Sequence, residues 1–576
     1  MKLGGYGGHI LSVDLGRGTI EKEPLAKEII EKFIGGEGGN FKLAYDLIKP
    51  QKDAFDESMP LIFGVGPCVG SFSPSCHRTL VTFKHSNFGG VVESAKGGGT
   101  FGTQMKWAGY DYLIITGKST KPVFLLVCND EVKILDGKNL WGKDIYETTD
   151  LLWERFDNPS VYAIGPAAEK LVNTTVGLID KLSTCGKGGL AAVMGSKKLK
   201  AIAFKGTKGI RIADPKRLEK VTIPLLEKIK NHPAHKRHID LGTMVGWDAW
   251  FKMQGASSRN WSSIYPIGEA ERLYGVDEYL KNIKKDRIAD PGCPVGCKDH
   301  VFIKCGEFAG LDTYGSSLYG RLENFAARCN VGSFNRFVKC LDYCNRKGLC
   351  VHEVTALIDW AIDLYKHKII DKTDTGGLDL DWDFNTTMQL MEKIAENEGF
   401  GAILGGGILH AMEKLDRGCD KLAIHVKGMM PLYDARVNRV NTAEFGQITY
   451  PRGAHPGRAS IPETYMTRGL SIESFKKWAQ RCFLPPEAMR RIFEGDTLNI
   501  ARLTKWAEDQ NIISHSTGIG CHRGRVDIFY DNQIIADIFS SVTGWEITPR
   551  ELRDYADRSY TLLKCFDNSL IIKKDF

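Results

Sequence analysis

Several features that would have assigned this chain to a simple class are missing. No stretch reaches the ~18 consecutive apolar residues of a membrane span. No block of five or six Lys/Arg marks a nucleic-acid tail, and no fixed-period repeat or low-complexity tract is found. The opening MKLGGYGGHILSVDLGRG has no signal-peptide apolar core and runs straight into a strand-like pattern, so a cytoplasmic protein is expected. One-sided charge is missing too: 77 Lys+Arg against 70 Asp+Glu gives +7, mild over 576 residues. Such a surface suits an acidic partner without demanding one, and no nucleic-acid partner is expected. With 43% hydrophobic and 26% charged residues, disorder and coiled coil are excluded.

What is present in excess is glycine. The 62 glycines are well above the usual ~7%, and they cluster as GGYGG at the start, GGEGG at 35–39, GGG at 97–99 and CGKGG at 185–189. Close approach of backbone to a large ligand would explain such turns, as would tight turns alone. The 15 cysteines, in a reducing compartment, read as buried thiols and metal ligands rather than a disulfide framework.

Length alone suggests roughly three domains. Residues 1–206 read as short strands with glycine-rich turns, and KGTKGIRIADPKR (205–217) as a linker. From about 215 the apolar spacing turns helical, as in LEKVTIPLLEKIKN and VTALIDWAIDLYKH. A further boundary is placed in GFGAILGGGILHAMEKL, giving expected units of 1–206, 215–408 and 409–576. The fold class is α+β: a β-rich N-terminal base followed by two mainly helical domains.

The strongest local motif is DPGCPVGCKDHVFIKC (290–305). Cys293 and Cys297, spaced C-x3-C in a Pro/Gly turn, can converge on one metal or cluster. Zinc would accept the same thiolates with Asp290 or His300. Cys521, ending HSTGIGC, is a third candidate.

GPCVGSFSPSCHRTLVT, GGGTFGTQMKWAGYD, CGKGGLAAVMGSKKLKAIA, the CPVGC loop, RKGLC, PRGAH, TGIGC and GWEITPRELRDYADR occur in this order along the chain. Together they resemble the tungsten-dependent aldehyde ferredoxin oxidoreductase family. The resemblance implies a tungsten (or molybdenum) bis-pyranopterin, Mg²⁺ bridging the pterin phosphates, and a 4Fe–4S cluster, all where the three domains meet. It implies a pterin cradle at Gly97, Gly98 and Gly99 and at Cys185, Gly186, Lys187 and Gly188, with Arg78 as a further cation. It implies iron ligands at Cys293, Cys297 and Cys521. The family's first cysteine is Asp290 here, and carboxylate oxygen can ligate iron; Cys305 is the alternative fourth ligand.

Other family positions are rewritten. An acid becomes Asn345, ahead of Gly348, Leu349 and Cys350; another becomes Ser516 or His515; an Arg becomes Ser183, and an Asn becomes Lys96. In aldehyde-oxidising members a Glu and a His handle protons beside the metal. His455 falls near the expected histidine, and Glu323 is the acid nearest the missing family glutamate. GLDTY (310–314) looks closer to the catalytic subunits of aromatic acyl-CoA reductases, a branch of the same family.

The resemblance therefore implies oxidation of an aldehyde to a carboxylate, with ferredoxin or a dedicated iron–sulfur subunit as electron acceptor. Two alternatives are an acyl-CoA reductase catalytic subunit and a relay or scaffold subunit that has lost the pterin. An oligomer is expected, although the family's E-x-x-H intersubunit iron motif is absent.

Overall fold

The computed structural model describes residues 3–71, 73–88, 90–247, 251, 256–431, 442–454, 471–480, 486–494, 497–521 and 530–571. Two six-stranded sheets form the N-terminal base. The first contains β1 (His9–Asp14), β2 (Thr19–Pro24), β3 (Leu61–Gly64), β4 (Thr79–Lys84), β5 (Val92–Gly97) and β6 (Tyr112–Thr116), in the order β2-β1-β6-β3-β4-β5. The second contains β7 (Val123–Cys128), β8 (Glu131–Asp136), β9 (Ser160–Ala163), β10 (Gly177–Ile179), β11 (Ser183–Cys185) and β12 (Leu199–Lys205), in the order β11-β10-β9-β12-β7-β8. Each sheet has one parallel pair, β1 with β6 and β7 with β12, and is otherwise antiparallel.

Sequence explains which strands are central. LIFG of β3 and TLVTFK of β4 are buried at every position, as near-continuous apolar runs covered on both faces should be. TIEKEP of β2 is exposed throughout and sits at an edge, where its charges oppose further pairing. The two sheets share one core. Phe63 and Phe101 meet Tyr162 and Phe204 across it, with Phe63–Tyr162 ring centroids 5.7 Å apart and Phe101–Phe204 5.2 Å.

AGYD proves to be an internal brace. The buried Asp111 pairs with Lys106 and accepts the Gly7 and Gly8 amides at 3.1 and 2.6 Å, fixing the GGYGG start against the sheet.

The helical remainder has two packing centres. One core runs from Leu241 to Met430 around the fully buried Trp360. The other joins Ile512, Ile538 and Leu552 of the C-terminal helices to Leu218, Leu225 and Ile229 of helix Pro215–Lys230. That second core also takes in Val295, Cys293 and Cys297. Helix Pro215–Lys230 thus packs with the C-terminal unit although it precedes the middle one in sequence.

Candidate functional site

The three layers enclose a cavity of about 300 Å³. Four local structures shape it. CPVGC is the loop of a hairpin whose strands, Lys284–Ile288 and Lys298–Phe302, pair Ile288 with Lys298. Left-handed Gly292 and Gly296 turn the chain there, and the Cys293 amide bonds back to the Asp290 carbonyl at 3.0 Å.

Cys521 arrives differently. Helix Ile500–Thr517 ends in a left-handed cap at Gly518, and the following turn lies so close to the base that a Cβ on Gly66 would overlap the Thr517–Gly518 backbone. The Cys68 amide secures it with a 2.9 Å bond to the Thr517 carbonyl. The RKGLC turn is docked similarly: helix Phe334–Lys347 is capped by left-handed Gly348, whose carbonyl accepts from Val176 at 2.8 Å, while the Cys350 amide reaches the Thr174 carbonyl at 2.8 Å.

The glycine turns are constrained first by the protein itself. A Cβ at Gly98 would overlap the Asp290 carboxylate, and one at Gly188 (φ +107°) would run into the His85 ring. Gly186 (φ +110°) and Gly189 (φ +85°) adopt backbone that side chains rarely take.

Cys293, Cys297, Cys521 and Asp290 all line the cavity. So do Arg78, Lys96, Gly98, Ser183, Cys185 and Gly186, and on another wall Lys187, Asn345, Leu349 and Cys350. Gly97, Gly99, Gly188 and Gly348 are not part of the lining. His515 and Ser516 do not reach the cavity. The His515 ring bonds the Asn511 carbonyl at 2.6 Å and lies 3.3 Å from the Lys96 ammonium, and the Ser516 hydroxyl accepts from the Gly38 amide at 3.1 Å. They brace Lys96 and the GGEGG helix.

Glu323 is buried on helix Leu318–Glu323, accepts from the Tyr319 hydroxyl at 3.2 Å, and is not part of the cavity wall. His455 lies outside the described residues. Cys305 is exposed beside Asn282, away from the cavity. His300 pairs with Asp312 at 2.6 Å and stacks on Tyr314, so it is not a partner for the cysteines.

Sequence reasoning missed several wall residues. Glu93, on β5 and buried, accepts from the Tyr450 hydroxyl at 2.7 Å and pairs with Arg452 at 2.8 Å. A carboxylate among small residues just before GGG was the available signal, as was Arg452 inside PRGAH. Arg321 holds the Asn345 carbonyl oxygen at 3.2 Å and the Thr184 hydroxyl at 3.0 Å. Lys298, next to Cys297, donates to Asp290 and to Ser183.

Electrostatically the cavity is made for an anion. Arg78 donates to the Cys521 sulfur, and its Nε is buried without a hydrogen-bond partner. Lys187 makes no hydrogen bond to the described residues, and burial lowers its pKa against the opposing pull of Cys350 and Glu353. Burial also pushes the Cys185 and Cys350 thiols up to about 12. Unsatisfied cations in a buried wall fit a polyanionic ligand such as a phosphate-bearing pterin.

The sulfur side offers the thiolate donors that an iron–sulfur cluster takes. Among the described residues no three His, Cys, Asp or Glu side chains converge closely enough for one metal ion. Ligands of a cluster, each on a different iron, stand further apart. Asp290 lines the same space, but its oxygens already face the Gly99 amide (2.7 Å), His77 (2.9 Å) and Lys298.

A sheet-rich base with helical units closing over a thiol- and cation-lined cavity defines a redox enzyme, and comparison with known proteins identifies its kind. The chain belongs to the aldehyde ferredoxin oxidoreductase family: residues 10–206 match the family's N-terminal domain and residues 220–575 its domains 2 and 3. It is similar to the tungsten-containing aldehyde ferredoxin oxidoreductase of Pyrococcus abyssi, 30% identical over 449 residues, 75% of this chain and 71% of the other. It is also similar to the aliphatic sulfonate oxidoreductase, WOR-like subunit, of Pyrococcus furiosus, 28% identical over 560 residues, 91% and 88% of the two chains. Among solved structures, a chain of the "Active site complex BamBC of Benzoyl Coenzyme A reductase in complex with 1,5 Dienoyl-CoA" superposes with TM-score 0.86 at 21% identity, covering 98% of this chain and 89% of that one. The expected fold class is thereby met. Among the described residues no helix is long and apolar enough to cross a membrane.

Proposed function

We propose that this protein is a tungsten (or molybdenum) bis-pyranopterin oxidoreductase with one 4Fe–4S cluster, oxidising an aldehyde to a carboxylate and delivering the electrons to a ferredoxin or iron–sulfur subunit. The observation that carries this reading is the cavity itself, where three cysteines share the lining with Arg78, whose Nε is buried without a hydrogen-bond partner, and with Lys187 among the glycine turns. Cys293, Cys297 and Cys521 would hold the cluster, with Asp290 the nearest donor for the fourth iron. Arg78, Lys96 and Lys187 would hold the pterin, with Mg²⁺ as a further counter-charge to its phosphates.

When bound, the metal supplies two-electron redox chemistry at an oxygen-accepting centre. The chain's own residues do the rest. Arg452 and the Tyr450 hydroxyl hold Glu93 as a hydrogen-bonded carboxylate, able to accept a proton from water or aldehyde hydrate at Oε1 or Oε2. Glu93 replaces Glu323 in that role, because Glu93 lines the cavity and Glu323 does not. Arg78, which donates to the Cys521 sulfur and itself lines the cavity, stabilises negative charge on that sulfur and on a bound anion.

A second reading, a catalytic subunit of an acyl-CoA reductase-type complex, is favoured by GLDTY. Its strand Asp312–Gly315 leads into Ser316 and Ser317 on the cavity wall. Elemental analysis of anaerobically purified protein tests both. About one tungsten or molybdenum and about four irons per chain are expected, followed by aldehyde-dependent reduction of a viologen dye. Iron without either heavy metal, in protein from a metal-replete native source, would sink the pterin enzyme in favour of a relay subunit. Acyl-CoA turnover without aldehyde turnover would favour the second reading.

A further inference from the structure

A carbonyl oxygen that gains negative charge during a reaction is best met by a donor already fixed in the wall of the site. His352 is the one histidine among the described residues that line the cavity. It is half-buried, in the first turn of helix Val351–Lys366, two residues beyond Cys350. Its Nδ1 lies 3.0 Å from the Asn324 amide nitrogen. Asn324 is buried and opens a π-helical turn, Asn324–Arg328, that continues from helix Leu318–Glu323. Such turns are frequent at functional sites.

The hydrogens of this pair can be placed. Asn324 Nδ2 stands 2.6 Å from the Gly320 carbonyl, which can only accept, so that end of the amide is the NH2 end. Its second hydrogen goes to His352 Nδ1, which must therefore accept. Only a neutral ring with its hydrogen on Nε2 makes this bond. A charged ring would set Nδ1–H against the NH2 group. The surroundings agree. The described lining carries six cations, Arg78, Lys96, Lys187, Lys298, Arg321 and Arg452, and two acids, Glu93 and Asp290. Both acids are ion-paired, Glu93 with Arg452 at 2.8 Å and Asp290 with Lys298. The adjacent Glu353 takes its hydrogen bonds from Asn87 and Cys350. A helix N-terminus also disfavours positive charge at His352. The Cε1 edge of the ring faces helix Leu318–Glu323, where a Cβ on Gly320 would stand 3.9 Å away.

We infer that His352 is a catalytic residue whose Nε2–H donates to the carbonyl oxygen of the substrate, and that Asn324 is the positioning residue that fixes this tautomer. This rests on the redox reading above. As a water oxygen bonds the aldehyde carbon, the water proton passes to Glu93 and the C=O π pair moves onto the carbonyl oxygen. His352 meets that charge with a hydrogen bond, and no electron leaves in this step. A neutral imidazole suits the task because it donates the bond without surrendering its proton. A thioester carbonyl presents the same oxygen, so the assignment serves either substrate class.

The test uses anaerobically purified holoenzyme and aldehyde-dependent viologen reduction, with tungsten and iron counted per chain in every variant. His352→Leu should lower kcat about 100-fold while KM and metal content stay near wild type. His352→Gln, which carries an NH2 donor of similar reach, should recover about tenfold of that loss. Asn324→Asp should reverse the ring, because a carboxylate accepts from Nδ1–H and only the protonated ring then donates from Nε2. Its turnover should fall as pH rises between about 5 and 8, a limb that the double variant Asn324→Asp/His352→Gln lacks. Nitrogen-15 spectra of histidine-labelled, metal-free protein should place the hydrogen on Nε2 of His352, the signal being assigned by its loss in His352→Gln. Wild-type kcat in His352→Leu would overturn the assignment. So would equal losses in the Leu and Gln variants, loss of tungsten in His352→Leu, or a hydrogen on Nδ1. A wild-type holoenzyme that turns over an acyl-CoA and no aldehyde would defeat the aldehyde reading alone, and the same losses on that substrate would still support His352.

Discussion

The Asp290 carboxylate, on the cysteine loop, accepts a 2.7 Å hydrogen bond from the Gly99 amide, at the end of the GGG turn. This contact ties the proposed cluster site to the proposed pterin cradle. His77 at 2.9 Å and Lys298 complete the cage, with His77 fully buried and the other two side chains 8% exposed.

Asp290→Ala should therefore cost about 3–5 kcal/mol of stability, because Lys298 is left as an unpaired buried charge. Denaturant unfolding of metal-free protein measures it. The double variant Asp290→Ala/Lys298→Met should recover part of the loss, and strictly additive effects would show that the two side chains do not act as a pair.

Gly188 tests the view that packing fixes the glycine cradle. Its left-handed backbone and the His85 ring both exclude a Cβ, so Gly188→Ala should destabilise by at least ~2 kcal/mol. A thermal midpoint equal to wild type in metal-free protein would mean that the turn is kept free for a ligand alone.

Lys187→Met should do the reverse. The ammonium makes no hydrogen bond to the described residues and burial opposes its charge. Metal-free protein should be as stable as wild type or more so, while tungsten retained per chain falls severalfold. Calorimetry of the metal-free protein reads the first and elemental analysis of the loaded protein the second.

Cys293→Ser, Cys297→Ser and Cys521→Ser should each lower bound iron, whereas Cys305→Ser should leave it unchanged, since Cys305 is exposed and outside the cavity. Iron loss in the Cys305 variant would reassign the fourth ligand.

Asp359 gives a pH prediction away from the metal site. Burial, the largest influence, raises its carboxyl from 3.8 to about 7, although the Trp382 indole (2.7 Å) and the Asn260 amide (2.9 Å) both donate to its Oδ1. The folded state then holds a proton that the unfolded chain releases. The associated stability is complete below pH 4 and falls by about 4 kcal/mol as pH rises through 7. Asp359→Asn keeps an oxygen for both donors and cannot ionise. It should raise the thermal midpoint at pH 8 and flatten the slope between pH 4 and 7.

Much of this was legible in sequence because it is local. The glycine clusters, the CPVGC turn and the TGIGC cap are backbone instructions: a left-handed residue at Gly296 or Gly518 needs no distant neighbour to be anticipated. Period-2 and period-3.6 apolar spacing likewise separated a sheet-rich start from a helical remainder. What could not be read was the direction of side chains that become neighbours only after folding. Glu323 and Glu93 are both acids in ordinary contexts. Helix Leu318–Glu323 holds one outside the cavity lining, and β5, beside its glycine turn, places the other in it.

His515 and Ser516 show the same limit. They fall in the expected stretch of the chain, yet helix Ile500–Thr517 sets them beside Lys96 and Gly38, outside the cavity lining. The sequence by itself determined the α+β class, the family and the glycine turns, since spacing and composition act over a few residues. Only the tertiary structure decided that Asp290 is caged by His77, Lys298 and Gly99, that Glu93 and Arg452 meet across 359 residues of chain, and that helix Pro215–Lys230 packs into the core that holds Cys293 and Cys297. Those pairings depend on long-range packing, in which burial makes an unmatched charge too costly to leave.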